Sequence, residues 1–275
     1  MPIEPMGPVV VGVDGSPAGS AALELALAEA NARTSPVVVV HAVEEGETAE
    51  SGARVTTLAL SRARSTCPEV SSSAVVGAGD PDALLLARSR GSSLLVVGHN
   101  SGCAQGRVRR ESIAHRVIGR AGVPVILHRR VEATGSPHRP VLVAVGGEPG
   151  DDVLLEFAFT EAAMWGAPLL AITVWPGTAH RDRDPSRRRF AEGRDAADRA
   201  LADALRIWSE KYPEVPVRRA VRHGLDVPMA VTAASRSARL VVVGTAVRAG
   251  QRSSLSLAQI LTHRAGCPVA VIPTR

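Results

Sequence analysis

Lysine and aromatic residues are scarce in this chain of 275 residues, whereas arginine is abundant. Lys211 is the only lysine, so arginines carry the net charge of +5, and they are interleaved with acidic residues. All seven aromatic residues lie between Phe157 and Tyr212, which leaves the first half without a ring on which to stack a base. Basic charge alone favours anionic partners, but the interleaved acids and the missing rings disfavour nucleic acid.

Cysteines and long apolar runs are also scarce. Cys67, Cys103 and Cys267 lie far apart, a pattern typical of reduced thiols in a cytosol rather than of disulfides or zinc ligands. No apolar run approaches the roughly 20 residues that span a bilayer, and no charged stretch leads into an apolar one at Met1–Pro8. We therefore expect a cytoplasmic protein with no membrane segment, no metal cluster and no organic redox cofactor.

The first buried strand is predicted at Val9–Val13, where β-branched residues form an apolar run. A tight turn follows, and the segment Ala18–Ala32 then has helical spacing. Asp14 is the first polar side chain at the carboxyl end of this strand, the edge where ligands gather in open α/β sheets. A carboxylate buried there would need ligand hydroxyls or backbone N–H groups as partners. The alternative is that Asp14 caps the following helix.

Four more strands alternate with helices in the first half. This alternation predicts an α/β domain with a parallel sheet and helices on both faces. One helix is expected to begin with Asp80 as N-cap and Pro81 as its first residue. The predicted strands are Pro36–Val43, Val70–Val76, Ser93–Gly98 and Val123–His128, and two further helices are predicted at 48–66 and Arg110–Arg120.

The same pattern restarts in the second half. Val141–Val145 repeats Val9–Val13, and Pro168–Val174 repeats Pro36–Ala42; 141 minus 9 and 168 minus 36 both give 132. We infer a tandem duplication, with a first domain at 1–130, a linker at 131–139 and a second domain at 140–275. The other predicted elements are the strands Val217–Arg222, Arg239–Gly244 and Cys267–Ile272 and the helix Leu225–Ser235.

Taken together, these motifs resemble the universal stress protein family in its tandem form, over nearly all of both halves. The motifs are Val-Gly-Val-Asp-Gly-Ser at 11–16, His41, Gly79-Asp80-Pro81, Leu-Leu-Val-Val-Gly at 94–98 and Val-Pro-Val at 123–125. The resemblance implies two tandem adenine-nucleotide alpha-hydrolase-like domains. Each would be a five-stranded parallel sheet of flavodoxin-like order 3-2-1-4-5 that pairs through its last strand, so a homodimer is one expected assembly.

Family members that bind ATP carry a Gly-x2-Gly-x9-Gly-Ser/Thr loop after the fourth strand, whose glycines let backbone N–H groups approach phosphates. Gly98 matches the first glycine, Ser101 stands at the second position and Gly102 follows one residue late. Glu111 replaces the third glycine, and Ser112 keeps the hydroxyl. Because Glu111 would repel a phosphate, adenosine or AMP is expected to bind better than ATP.

The adenosine end of the implied site is intact. Asp14 matches the family's carboxylate near the adenosine, and Ala42 matches the residue whose backbone meets adenine. The site implied for ATP or AMP therefore comprises Val13, Asp14, Gly15, Ala42, Gly98, Ser101, Gly102 and Ser112.

The second half departs further from the family's pattern. Gly146 replaces the aspartate at the strand end, and Glu148 replaces the serine of the turn. Gly244 survives, whereas the remaining loop positions carry Val247, Leu257 and Ala258. We interpret this domain as a degenerate copy that binds no nucleotide and packs against the first.

The sequence thus predicts a non-catalytic, stress-response regulatory protein with an adenine nucleotide in its first domain and a protein partner of unknown identity. It contains no Gly-x4-Gly-Lys-Ser/Thr, Gly-x-Gly-x-x-Gly or Gly-x-Ser-x-Gly motif. Two alternatives stay open: a partner-binding protein in which both sites are dead, and a slow ATPase in which Asp14 or His41 orients water. Cys103 is a further candidate, as a redox-reactive thiol whose pKa neighbouring arginines would lower.

Overall fold

The structure is a computed structural model, and it describes residues 7–43, 46–99, 113–129, 139–148, 150–175, 187–224, 226–245 and 257–274. The chain divides into two compact units, Met1–Val131 and Glu132–Arg275. Most of the predicted linker at 131–139 lies outside the described residues, so its boundaries stay a prediction.

The first unit contains five parallel strands. β1 pairs with β2 and β4, β3 pairs with β2, and β5 pairs with β4. The predicted strand order 3-2-1-4-5 is therefore confirmed. The elements are β1 Val9–Gly12, α1 Pro17–Ala32, β2 Val37–Val43, α2 Ala49–Thr66, β3 Ser72–Ala78, α3 Pro81–Ser89, β4 Leu94–His99, α4 Ile113–Ile118 and β5 Val125–Arg129.

The second unit repeats this topology. β6 pairs in parallel with β7 and β9, β8 pairs with β7, and β10 pairs with β9. The elements are β6 Val141–Ala144, α5 Asp151–Met164, β7 Leu169–Trp175, α6 Arg187–Lys211, β8 Val217–His223, α7 Val227–Ser235, β9 Leu240–Gly244, α8 Leu257–Arg264 and β10 Val269–Ile272. The predicted duplication thus holds strand by strand.

Helices cover both faces of each sheet, which explains the apolar central strands. In the first unit α1 packs with α2 and α3 packs with α4; in the second, α5 packs with α6 and α7 with α8. Val9, Val10 and Val11 of β1 are fully buried as a result. The second unit also contains an aromatic cluster, in which Phe159 of α5 stacks against Trp208 of α6 and against Tyr212, the residue just after α6.

Five predicted elements have a boundary that is wrong by more than one residue. Three of them begin two residues later than predicted: the strands β5 and β10, at Val125 and Val269, and the helix α7, at Val227. The third strand is Ser72–Ala78 rather than Val70–Val76, because the Val70 N–H donates to the Cys67 carbonyl in the turn that closes α2. The helix predicted at Arg110–Arg120 ends at Ile118, and its described part begins at Ile113. The strand predicted at Val9–Val13 ends one residue early, at Gly12, although the Val13 N–H still donates to the Val40 carbonyl.

Asp80 also differs from expectation. It occupies the N-cap position of α3, with Pro81 following, but its side chain makes no capping hydrogen bond among the described residues. Within the same residues, no helix is long and apolar enough to cross a membrane.

Candidate functional site

The first-unit turn (residues 13–16) connects β1 to α1 and carries Asp14. An Oδ1 oxygen of Asp14 accepts a hydrogen bond from the Ser16 N–H at 2.9 Å. Ser16, not Asp14, is the N-cap of α1, because its Oγ accepts the Gly19 N–H at 3.1 Å. Gly15 has a φ of +76°, a conformation that glycine adopts without strain.

Asp14 is exposed, so the expectation of a buried carboxylate at this strand end is wrong. The reason is its place in the turn, two residues after β1 ends at Gly12 and three before α1 begins at Pro17. Its carboxylate therefore faces solvent while the Ser16 N–H holds one oxygen. This arrangement leaves the carboxylate within reach of a ligand at the carboxyl edge of the sheet.

Two glycines allow the turn, α1 and β4 to approach closely. A Cβ atom built on Gly19 would lie 2.6 Å from Oδ1 of Asp14. One built on Gly98, at the end of β4, would lie 2.6 Å from the Ala18 carbonyl oxygen. Gly98 is therefore required by backbone packing alone, whether or not a ligand binds nearby.

His41 links the carboxyl ends of β1 and β2 through a hydrogen bond. Its side chain is 4% exposed, and Nδ1 donates to the Val13 carbonyl oxygen at 2.8 Å. Its Nε2 lies 3.2 Å from Oε1 of Glu47. Both ring nitrogens are thus engaged with Val13 and Glu47, and no contact with Asp14 is present among the described residues. An acid–base pair of His41 and Asp14 finds no support in this geometry.

Five of the predicted site residues lie at one edge of the first-unit sheet. They lie within or just beyond the carboxyl-terminal ends of β1, β2 and β4: Val13, Asp14, Gly15, Ala42 and Gly98. The other predicted residues of the phosphate loop lie outside the described residues, as does the candidate thiol: Ser101, Gly102, Cys103, Glu111 and Ser112. The phosphate end of the site therefore stays a prediction.

The second-unit turn (residues 145–148) holds a carboxylate in a different way. The backbone N–H groups of Gly146, Gly147 and Glu148 donate to Oδ2 of Asp151 at 3.1, 2.7 and 3.1 Å. Asp151 is the first residue of α5. Three converging N–H groups at a helix N-terminus form a nest that favours an anion, and here a side chain of the chain itself fills it.

A pocket lies beside this turn, at the carboxyl ends of β6, β7 and β9, and we call it the second-unit pocket. It is a partly open depression with a cavity volume of about 70 Å³. Glu148, Asp151 and Thr274 are among its polar lining residues. Its apolar walls include Leu154, Ile172, Val174, Val227, Val231 and Leu257.

The universal stress protein family model matches residues 6–129 and 137–273, which are the two repeats. The chain belongs to the universal stress protein family. A universal stress protein from Mycobacterium tuberculosis is 29% identical, over 96% of this chain and 96% of its own length.

Solved structures agree on the fold. A universal stress protein from Archaeoglobus fulgidus matches 97% of this chain and 96% of its own, with a TM-score of 0.69 and 18% identity. Another structure from that organism, determined in complex with dAMP, matches 45% of this chain and 98% of its own, with a TM-score of 0.36 and 25% identity. The first of these two resemblances concerns the architecture described above.

This universal stress protein also contains a buried carboxylate that sequence reasoning missed. Asp82 of α3 accepts hydrogen bonds from Arg116 at 3.1 Å and from Arg120 at 3.2 Å. The hydrogen bond from Arg116 is the main cause that lowers the pKa of Asp82, and both guanidinium charges add to it. These pairs tie α3 to α4 and to the residues just after it.

Asp151 and Glu47 were also missed, for different reasons. A signal for Asp151 existed, because it stands 132 residues after Gly19, just as Gly146 stands 132 after Asp14. The repeat alignment therefore shows an aspartate lost on one side of the turn and gained on the other. Glu47 lies in a polar connection that matches no motif, so nothing in the sequence marks it.

Proposed function

We propose that this universal stress protein is a non-catalytic, cytoplasmic regulator of the stress response whose first unit binds an adenine nucleotide. ATP and AMP are the candidate ligands, and any ATP hydrolysis is expected to be slow. The observation that carries the proposal is the exposed carboxylate of Asp14, held at the carboxyl end of β1 by the Ser16 N–H.

The strand order supports a ligand site near Asp14. β1 lies between β2 and β4, and the order 3-2-1-4-5 reverses its winding direction between β1 and β4. A crevice forms outside the sheet at such a switch point. Asp14 lies two residues beyond the end of β1, and Gly98 is the last residue but one of β4, so we expect them to flank this crevice.

The chemistry of Asp14 suits the sugar of a nucleotide better than its phosphates. An ionised carboxylate only accepts hydrogen bonds, and ribose hydroxyls can donate them. A phosphate beside it would be repelled. The phosphates would then lie toward the loop at 99–112, where Glu111 is expected to favour AMP or adenosine over ATP.

The contacts of His41 support a non-catalytic role. A general base must reach the proton that it removes, whereas the ring nitrogens of His41 contact the Val13 carbonyl and Glu47. His41 therefore positions the strand end instead of facing the crevice as a base.

Calorimetric titration of the full chain, freed of co-purified nucleotide, with adenosine, AMP and ATP tests the proposal. Asp14→Ala is expected to weaken binding by roughly 1–3 kcal/mol, or about 5- to 150-fold. Asp80→Ala is the matched control, since Asp80 is also an exposed aspartate beyond a strand and caps no N–H group with its side chain. Gly146→Asp in the second unit is expected to leave binding unchanged.

Equal affinities for wild type and Asp14→Ala would contradict the proposed site. If none of the three ligands bound, the partner-binding alternative with both sites dead would replace it. A rapid turnover of ATP that Asp14→Ala or His41→Ala abolished would replace it with the ATPase alternative.

A further inference from the structure

The second-unit pocket combines apolar walls with acidic polar groups. Leu154, Val174 and Val231 are buried residues that present hydrocarbon to it. The charged lining residues are Glu148 and Asp151, and no arginine or lysine lines it among the described residues.

The turn beside the pocket already uses the N–H groups that a phosphate would need. The three N–H groups that would receive an anion already donate to Oδ2 of Asp151. Thr274 covers the neighbouring glycine at the end of β9, since a Cβ built on Gly244 would lie 3.0 Å from its Cγ2. A phosphate at this edge would also face the carboxylates of Glu148 and Asp151.

We propose that the second-unit pocket binds a small, mostly apolar molecule that carries a protonated amine, and that it rejects phosphate-bearing ligands. The apolar part of the ligand is removed from water against the aliphatic walls. The ammonium group pairs with the acidic lining. The N–H groups compensate part of the Asp151 charge, so Glu148 supplies much of the attraction.

This inference concerns a different unit from the proposed nucleotide site and does not rest on it. The interpretation of the second unit as a copy that binds no nucleotide is compatible with it. In the second unit the anion site is filled by Asp151, and the pocket beside it favours a cation instead.

Three small probes of similar size separate the effect of charge from that of shape. Benzylamine, benzyl alcohol and benzoate share a phenyl ring, and their substituents are positively charged, neutral and negatively charged. Ligand-observed NMR titration of the full chain at neutral pH measures each dissociation constant. Benzylamine is expected to bind about ten-fold more tightly than benzyl alcohol, and benzoate is expected not to bind. Glu148→Gln is expected to bring the first two dissociation constants close together.

A blocking variant places the binding in this pocket. Val227 begins α7 and lines the pocket, so Val227→Trp is expected to abolish binding of both benzylamine and benzyl alcohol. Met229→Trp is the matched control, because Met229 lies on the same helix, is 68% exposed and does not line the pocket. Far-ultraviolet circular dichroism checks that each variant folds.

Three results would each overturn the proposal: benzylamine failing to bind in the millimolar range, benzoate binding as tightly as benzylamine, or folded Val227→Trp binding benzylamine as wild type does. Asp14→Ala is expected to leave benzylamine binding unchanged. A loss of benzylamine binding in that variant would assign the probe to the first unit and would also overturn the proposal.

Discussion

Oδ2 of Asp151 lies 2.7 Å from the backbone nitrogen of Gly147, at the centre of three hydrogen bonds that close the second-unit turn. In the first unit the position equivalent to Asp151 is Gly19, and a Cβ there would lie 2.6 Å from Oδ1 of Asp14. The turn therefore has room for one carboxylate. The two units supply it from opposite sides, the first from the strand end and the second from the helix start.

The hydrogen bonds of Asp151 are expected to stabilise the second unit. Asp151→Ala leaves three N–H groups without their carboxylate, and we expect it to lower the free energy of unfolding by roughly 1–3 kcal/mol. Asp152→Ala is the control, because Asp152 is exposed in the same helical turn and interacts mainly with the helix dipole, about 0.3–1 kcal/mol. Urea unfolding followed by tryptophan fluorescence reports the second unit, since all three tryptophans lie there. Equal losses in both variants would contradict the prediction.

Exchanging the carboxylate in the first unit tests whether the turn holds only one. Gly19→Asp places a second carboxylate against Asp14, and we expect a loss of roughly 1–3 kcal/mol from crowding, increased by charge repulsion. Adding Asp14→Gly recreates the arrangement of the second unit, so the double variant is expected to be more stable than Gly19→Asp alone. Thermal unfolding of the two single variants and the double variant gives the coupling free energy between positions 14 and 19. Additive losses would show that the two positions do not share a site.

Gly98 is expected to be intolerant of any side chain for a reason unrelated to ligands. In Gly98→Ala the new methyl group would meet backbone atoms of Ala18, so β4 and α1 must separate at a cost of roughly 1–3 kcal/mol. Gly119→Ala is the control, because a Cβ there meets nothing within 4 Å and its φ is not positive. A Gly98→Ala variant as stable as Gly119→Ala would contradict this packing. Loss of nucleotide binding in Gly98→Ala is accordingly a weaker test of the site than Asp14→Ala.

The sequence predicts the order and type of the elements well, because buried strands and their turns leave strong local patterns. It predicts the ends of β3 less well, since half-exposed residues there carry no clear apolar run.

Local sequence patterns do not predict the direction in which a side chain points. His41 was expected at a strand end, but its contact with the Val13 carbonyl depends on the space beside Gly52. A Cβ on Gly52 would lie 3.0 Å from the His41 ring, and Gly52 lies on α2, well away from the strand in sequence. Likewise, Ser16 rather than Asp14 caps α1, a choice that the local sequence pattern left open.

The thiols are expected to differ in reactivity. Burial raises the pKa of Cys267 to about 12, and burial followed by the charge of Glu69 raises the pKa of Cys67. Because the thiolate is the reactive form, Cys267 in a Cys103→Ser background is expected to react with Ellman's reagent only after unfolding. Cys67 is expected to react slowly in the folded protein. Rapid labelling of two thiols in that folded variant would contradict the prediction, and Cys103→Ser with Cys267→Ser identifies which thiol reacts.

The ion pairs of Asp82 predict a pH dependence of stability. Asp82 is 6% exposed, and the hydrogen bond from Arg116 lowers its pKa in the folded protein. A group whose pKa is lowered on folding stabilises the protein above its unfolded pKa, about 3.9 for aspartate, and this contribution is lost as the pH falls through the folded value. Asp82→Asn is therefore expected to be less stable than wild type at neutral pH by roughly 1.5–3 kcal/mol. That difference should narrow below about pH 4.

The two arginines allow the same prediction to be checked from the other side of the ion pair. The Arg116 side chain is 27% exposed and that of Arg120 is 61% exposed, so solvent screens the second pair more strongly. Arg116→Gln is accordingly expected to destabilise the protein more than Arg120→Gln, and to remove more of the pH dependence. Thermal unfolding of the three variants and wild type between neutral pH and about pH 3 measures both effects, with Asp80→Asn as the control carboxylate. A gap between wild type and Asp82→Asn that stays constant over this range would show that Asp82 acts through packing and not through its charge.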